Sequence, residues 1–197
     1  MKINELTVIG DCLKTMQEEM VEVALNSGGI MRVGENSEVL VVAPDPKTLR
    51  PEVKRGKIWS NFKKLGGNQK FSVSTGTAVA SIRGTIFRVN KDSLSSVLVY
   101  DGQVDVGPDQ ALQDQLKAQK AAAGGEGRHE VAGPQEVPGP YEVTLDQWIT
   151  IIKGMQINVR SDGRYDKFQF DQQADKEDPW VKQNQERDSV LGVSAPE

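Results

Sequence analysis

The 197-residue chain carries 24 basic and 28 acidic residues, a formal net charge of -4, and only 37% apolar residues. That balance gives no overall support for nucleic-acid binding, which needs concentrated positive charge to displace phosphate counterions. One cysteine, Cys12, excludes an internal disulfide and any metal site built on cysteine pairs.

No stretch approaches the roughly 18–20 apolar residues that span a bilayer. Residues 1–11 lack the basic start and long apolar run of a secretory signal. Composition therefore leaves open both a cytoplasmic chain and one whose signal has been removed.

From Val21 the pattern has a period of two, broken by turn residues. Val21, Val23 and Leu25 alternate with Glu22 and Ala24; Ile30, Met31 and Val33 follow, and Val39 to Val42 is a short apolar run. These read as strands. Pro44, Pro46 and Pro51 interrupt any ladder, because proline donates no backbone hydrogen. A strand resumes at Lys57 to Phe62, and Gly66-Gly67-Asn68 reads as a turn.

The densest strand pattern runs from Lys70 to Val106. Phe71 and Val73, Val79 and Ile82, Ile86 to Val89, Val97 to Tyr100, and Val104 with Val106 are separated by short polar or glycine-bearing links. Asp101-Gly102 between two valine-rich runs predicts a hairpin, since type I′ turns want positive φ at both central residues. Turns every 8 to 12 residues or so predict a mainly β fold: a sandwich, a jelly roll or a short β-helix.

At Gly107 the character changes. Gln110 to Ala123 favours helix by propensity, with Leu112 and Leu116 as its only sizeable apolar residues, a face too narrow to dock firmly. Residues 124–140 are rich in glycine and proline and read as a connector. The spacing divides the chain into a β domain over 1–106, a helical insertion or linker over 107–140, and a helix-hairpin-helix segment over 141–197 that packs on the β domain.

In that last segment Leu145, Trp148, Ile149 and Ile152 share one helical face, behind a capping box of Thr144 and Gln147. The β-branched Val143, Ile149, Ile151 and Ile152 make a strand the rival. Met155 to Val159 and Tyr165 to Phe170 flank Ser161-Asp162-Gly163 as a hairpin. Asp178 as N-cap, Pro179 at the first turn and Gly192 at the stop predict a final helix. Trp180, Asn184, Arg187 and Leu191 lie on one side of it, with Trp180 anchoring it to the β core.

The run FSVSTGTAVASIRGTIFRV from Phe71 to Val89, followed by VLVYDGQVDV from Val97 to Val106, resembles the FecR domain family. The run GIMRVGENSEV from Gly29 to Val39 is similar to the family's glycine-and-serine strand pair. The likeness covers roughly residues 20–106, and Trp180 to Asn184 with Arg187 and Asp188 is similar to an end segment of stand-alone FecR-domain proteins. The resemblance implies an all-β domain outside the cytoplasmic membrane. In the family's best-known setting that domain senses an outer-membrane transporter and signals to a sigma factor, through a membrane helix and a cytoplasmic segment. This sequence shows neither, so the resemblance implies a stand-alone periplasmic adaptor or ligand-binding module.

Candidate chemistry is sparse. Asp162, Asp166, Asp171, Asp175 and Asp178 lack the tight alternation and closing glutamate of a calcium loop and read as solvated surface. His129 lies in the glycine-rich connector without a rigid partner. No Gly-x-Ser-x-Gly elbow and no phosphate-cradling loop is present. The expectation is no enzyme, with no catalytic, cofactor or metal residues.

Arg83 and Thr85 around Gly84 suit partner binding through the arginine fork, or a bulge that only fills strand positions. Lys54, Arg55 and Lys57, in a basic stretch with Trp59 and Phe62 interleaved, suit an acidic partner or a solvated strand face. The reading is a non-enzymatic envelope binding or signalling domain contacting a protein or cell-wall polymer. The rivals are a structural subunit of an envelope assembly and an enzyme of unknown reaction.

Overall fold

The computed structural model describes residues 5–25, 29–43, 48–62, 70–82, 84–123 and 144–190. Fourteen strands join into one curled, hydrogen-bonded sheet that folds into two layers. The first layer holds β1 (Cys12–Lys14), β4 (Glu38–Leu40), the start of β6 (Glu52–Asn61), β7 (Lys70–Ser74), β8 (Ala78–Ile82), β11 (Gln103–Pro108) and β12 (Ile149–Ile152) in that spatial order. The short β5 (Thr48–Leu49) runs parallel to β7. The second layer runs β2 (Val21–Ala24), β3 (Ile30–Val33), the end of β6, β9 (Ile86–Lys91), β10 (Ser95–Asp101), β13 (Met155–Val159) and β14 (Tyr165–Gln169).

Alternation along each strand turns one row of side chains inward, as the period of two requires. Val39, Val53, Val73, Ala80, Val104, Val106 and Ile151 from the first layer meet Met31, Val33, Ile58, Phe87, Val89, Val97, Ile157 and Val159 from the second in one buried cluster. Phe62 and Phe71 close one flank, with ring centroids 4.3 Å apart. This β core bears out the mainly β fold expected from the strand spacing, for which a sandwich, a jelly roll and a short β-helix are the alternatives.

The layers are linked by corners where the chain changes sheet. β8 belongs to the first layer and β9 to the second, β10 to the second and β11 to the first, β12 to the first and β13 to the second. The hairpin expected at Asp101-Gly102 therefore does not form: β10 pairs with β9 and β13, and β11 with β8 and β12. Gly102 does take the expected positive φ, 80°, but uses it to cross between layers. A Cβ there would stand 2.8 Å from the Gly84 carbonyl oxygen. Thr85 Oγ1 donates to the Gln103 carbonyl at 2.7 Å, and Lys153 N donates to the Gly102 carbonyl at 3.1 Å, so three crossings are stitched together at one end.

Beyond β11, α1 (Gln110–Ala123) forms as propensity predicts. Gly107 and Pro108 belong to β11 rather than to a linker. Leu112 is buried and packs where a Cβ on Gly163 would meet its methyls at 3.1 Å, so the helix docks through that one side chain despite its narrow face. The helix expected over Leu145 to Ile152 is replaced by β12. Pairing with β11 buries Ile151 inside the core, and the β-branched residues favour that outcome. Strands β12 to β14 thus complete both layers. The hairpin of β13 and β14 forms as expected.

The chain ends in α2 (Gln172–Lys176), capped by Asp171, and α3 (Pro179–Val190), a short arm laid over the outer face of the second layer. Asp178 Oδ1 accepts from Trp180 N at 2.9 Å, the capping role expected of it. The buried face of α3 is Trp180, Val181, Asn184 and Asp188, so Asp188 stands where Arg187 was expected. Leu191, Gly192, His129 and the turn at residues 66–68 lie outside the described residues.

Candidate functional site

Under the arm, alternation places Arg32, Trp59, Asn61, Arg88 and Tyr100 on the outer face of the second layer. Trp59 packs with Ile86, Trp180 and Val181 in a satellite cluster, and its ring centroid is 4.5 Å from that of Tyr100. Two arginines hold the arm. Arg32, with no exposed surface, donates through Nε to Glu22 at 2.7 Å and through Nη1 to Asp188. Asp188 also accepts from Trp59 Nε1 at 3.0 Å and from Asn61 Nδ2 at 2.7 Å. Arg88 donates to Asp175 at 2.6 Å and to Asp178 at 3.1 Å.

Tyr100 Oη donates to the other oxygen of Asp175 at 2.7 Å. Burial pushes the phenol well above its ordinary value, the neighbouring Asp175 carboxylate adds to the shift and the Arg88 guanidinium opposes it. The acidic run expected to be solvated surface is thus divided. Asp162 pairs with Arg164 and Asp166 with Arg160 at the hairpin surface, while Asp175 and Asp178 grip Arg88. Among the described residues, no group of His, Cys, Asp or Glu is placed to hold a metal ion.

The outer face of the first layer is built differently. Between β5, β7, β8, β11 and the start of α1 lies a cleft of about 240 Å³. Its floor carries Ser72 and Ser81, its sides Arg50, Gln110 and Gln113, and its rim Trp148. Gly107 makes this possible. Atoms of the Trp148 ring lie 2.5 to 2.8 Å from where a Gly107 Cβ would stand, so one face of the ring rests on the glycine backbone. Trp148 remains 56% exposed. Beyond it, β12 pairs with no strand other than β11 among the described residues, and carries exposed Thr150 and Ile152 on its outer side.

Gln110 and Gln113 direct their amide N–H groups to Asp114 and to the Pro108 carbonyl. Asp109 is nearby but accepts from Ser74 and from Ala111 N. A second groove, about 470 Å³ between Glu22 and α3, is lined by Gln183, Glu186, Arg187 and Val190; every one of these is exposed, so it is a surface furrow without a floor.

Among the described residues, Thr85, Lys54, Arg55 and Lys57, expected from the sequence to meet a partner, do not line the cleft. Arg83 lies outside the described residues. Thr85 is 1% exposed and its hydroxyl binds the Gln103 carbonyl. Lys57 sits 3.5 Å from Glu35 and 5.2 Å from the Trp180 ring centroid. Lys54 and Arg55 are exposed side by side because a bulge opposite Glu38 and Val39 breaks the alternation of β6; Lys54 pairs with Glu52 at 2.5 Å. In sequence Arg50 belongs to the basic stretch and Trp148 to a helical face, and their meeting at one cleft escapes a reading in which nothing local joins positions about a hundred residues apart. The clue available was Gly107, a glycine inside a strand pattern, which often marks a close approach.

Residues 11–105 match the family model described as FecR protein. Two crystal structures of a candidate anti-sigma factor from Parabacteroides distasonis are similar in fold, each with a TM-score of 0.55 at 18% identity over 83% of this chain. The chain spans 61% of the length of each. No curated protein matches the chain.

Proposed function

We infer a regulatory, non-enzymatic binding role, from the premise that residues 11–105 of this chain are a FecR domain. The partner in this reading is a protein or cell-wall polymer of the bacterial envelope, and the chain works outside the cytoplasmic membrane. It is contacted through the outer face of the first layer, at the cleft and the adjoining edge of β12.

One observation carries this reading. The second layer is covered by the chain's own C-terminal arm, whereas the first keeps a cleft bordered by an exposed tryptophan and a strand edge that is open among the described residues. Open edges accept an added strand through backbone hydrogen bonds, and an aromatic beside them supplies an anchor. Among the described residues the polar groups of the cleft are hydroxyls, amides and one guanidinium, a set suited to recognition, and none of those residues brings a carboxylate or imidazole to move a proton. Lys54 and Arg55, on the same layer, extend the contact toward acidic groups.

A photoreactive residue at Thr150 tests this in intact envelope preparations, with the same group at Gln183 on the arm as control. The expected result is a defined adduct from position 150 alone. Adducts only between copies of the chain would favour a structural subunit of an assembly, and equal labelling at both positions would overturn the assignment of the face.

A further inference from the structure

Among the described residues, Arg50 is the one cation lining the cleft. Its backbone N–H donates to the Val42 carbonyl at 2.8 Å, but its guanidinium meets no carboxylate among the described residues. The hydroxyls of Ser72 and Ser81 likewise have no partner among the described residues, although Ser72 is only 7% exposed. Gln110 and Gln113 each commit N–H groups within the protein, which leaves their carboxamide oxygens as acceptors. A half-buried guanidinium that meets no anion among the described residues is suited to one from outside, and a planar fork matches a carboxylate with two parallel hydrogen bonds.

The shape narrows the class. At about 240 Å³ the cleft falls below the roughly 300–1,000 Å³ typical of drug-sized ligands, so its occupant is small or is one unit of a polymer. The Trp148 ring is seated on Gly107 and keeps 56% of its surface exposed. A flat aromatic face, hydroxyls on the floor and amide oxygens at the side are complementary to a ring with C–H bonds on its faces and hydroxyls around its rim. We propose that the cleft binds a sugar ring bearing a carboxylate, with Arg50 on the carboxylate and Trp148 stacked against the ring. This deepens the reading of the cleft as a contact surface and rests on it.

Two sources share that chemistry, the lactyl-substituted amino sugar of the cell wall and the uronic acids of acidic polysaccharides. Saturation-transfer NMR titrations of the full chain with N-acetylmuramic acid, glucuronic acid, N-acetylglucosamine and glucose separate them. The expected result is saturable binding of at least one acid, about tenfold or more tighter than its neutral counterpart, the scale of one charge-assisted hydrogen-bond pair. The tighter of the two acids identifies the source.

Arg50→Gln is expected to erase that preference while weak sugar binding remains. Trp148→Ala is expected to abolish saturable binding of both acids. Gly107→Ala, whose Cβ would displace the ring, should do the same, and the exposed Trp148→Ala guards against a folding defect in the glycine variant. No saturable binding by either acid would overturn the proposal. So would an Arg50→Gln variant that binds as the parent does, or equal binding of the dipeptide Ala-Ala, which would make the ligand a peptide carboxylate. Loss of sugar binding with the adduct at position 150 intact would remove the sugar and leave the protein contact standing.

Discussion

Over the second layer, Arg32 and Arg88 are buried and gripped by carboxylates, Glu22 and Asp188 for one, Asp175 and Asp178 for the other. Over the first layer, Arg50 borders a cleft and meets no carboxylate among the described residues. The same side chain serves as a fastener on one face and as an available donor on the other. What differs is the C-terminal arm: it brings three aspartates to one face of the sandwich and none to the other. A charge buried by the fold must be paired within it, and a charge left at a cleft is free for a ligand.

The contrast can be broken most forcefully at Asp188. Asp188→Ala leaves Arg32 buried beside Glu22 alone and takes an acceptor from Trp59 and Asn61. Loss of one partner of such a pair costs about 3–5 kcal/mol, read as a lower unfolding free energy in urea. Replacing Arg32 by Met and Asp188 by Leu together should recover much of it. A loss below about 1 kcal/mol for Asp188→Ala, the scale of an exposed pair, would show that the fastener is not one.

Tyr100→Phe sharpens the comparison at the second arginine. It removes one hydrogen bond to an ionised acceptor, expected to cost about 1.5–3 kcal/mol at neutral pH. The phenol's value is raised in the folded state, so its contribution is complete below the unfolded value of about 10 and is lost as pH climbs beyond it. Stability of the parent should therefore fall more steeply above pH ~10 than that of Tyr100→Phe, as urea midpoints taken across that range would reveal. Equal slopes would place Tyr100 in contact with solvent.

The smallest effect belongs to the open face. Arg50→Gln should change stability by no more than about 0.5 kcal/mol, as for surface positions without partners, even as it alters binding. A melting shift comparable to that of Tyr100→Phe would mean that Arg50 is also a fastener, and the two faces would cease to differ.

Strands were legible from alternation, and so were the capping residues Asp178 and Pro179, because those signals are local. Their partners were not. Asp101-Gly102 carries the local signature of a hairpin, and Gly102 has the required φ, yet that conformation serves equally to carry the chain from one layer to the other. Which it does depends on β9 and β13 occupying the flanks of β10. The stretch from Leu145 to Ile152 fits both periods, and only pairing with β11 decides between them. Asp175 looks solvated in sequence because the arginine that buries it lies 87 residues away, and the partner of Asp188 lies 156 residues away. Charge density singled out Lys54, Arg55 and Lys57, whereas the cleft is assembled from β5, α1 and the approach to β12, which no local pattern joins.

The stitched corners also set a timetable. β10 needs β13, and β11 needs β12, before either has both edges paired, and Ile151, Ile157 and Val159 must arrive before the core is full. A chain emerging from the ribosome has made β11 by Pro108 but cannot finish the first layer until Ile152 is out, or pair the second edge of β10 until Val159 is. At about 5–20 residues per second, that interval lasts a few seconds, with two bare strand edges waiting. Pairings so distant in sequence are slow to form, and open edges invite the wrong neighbour. The interval is a window in which a chaperone or an export factor can hold the chain unfolded without working against a completed domain.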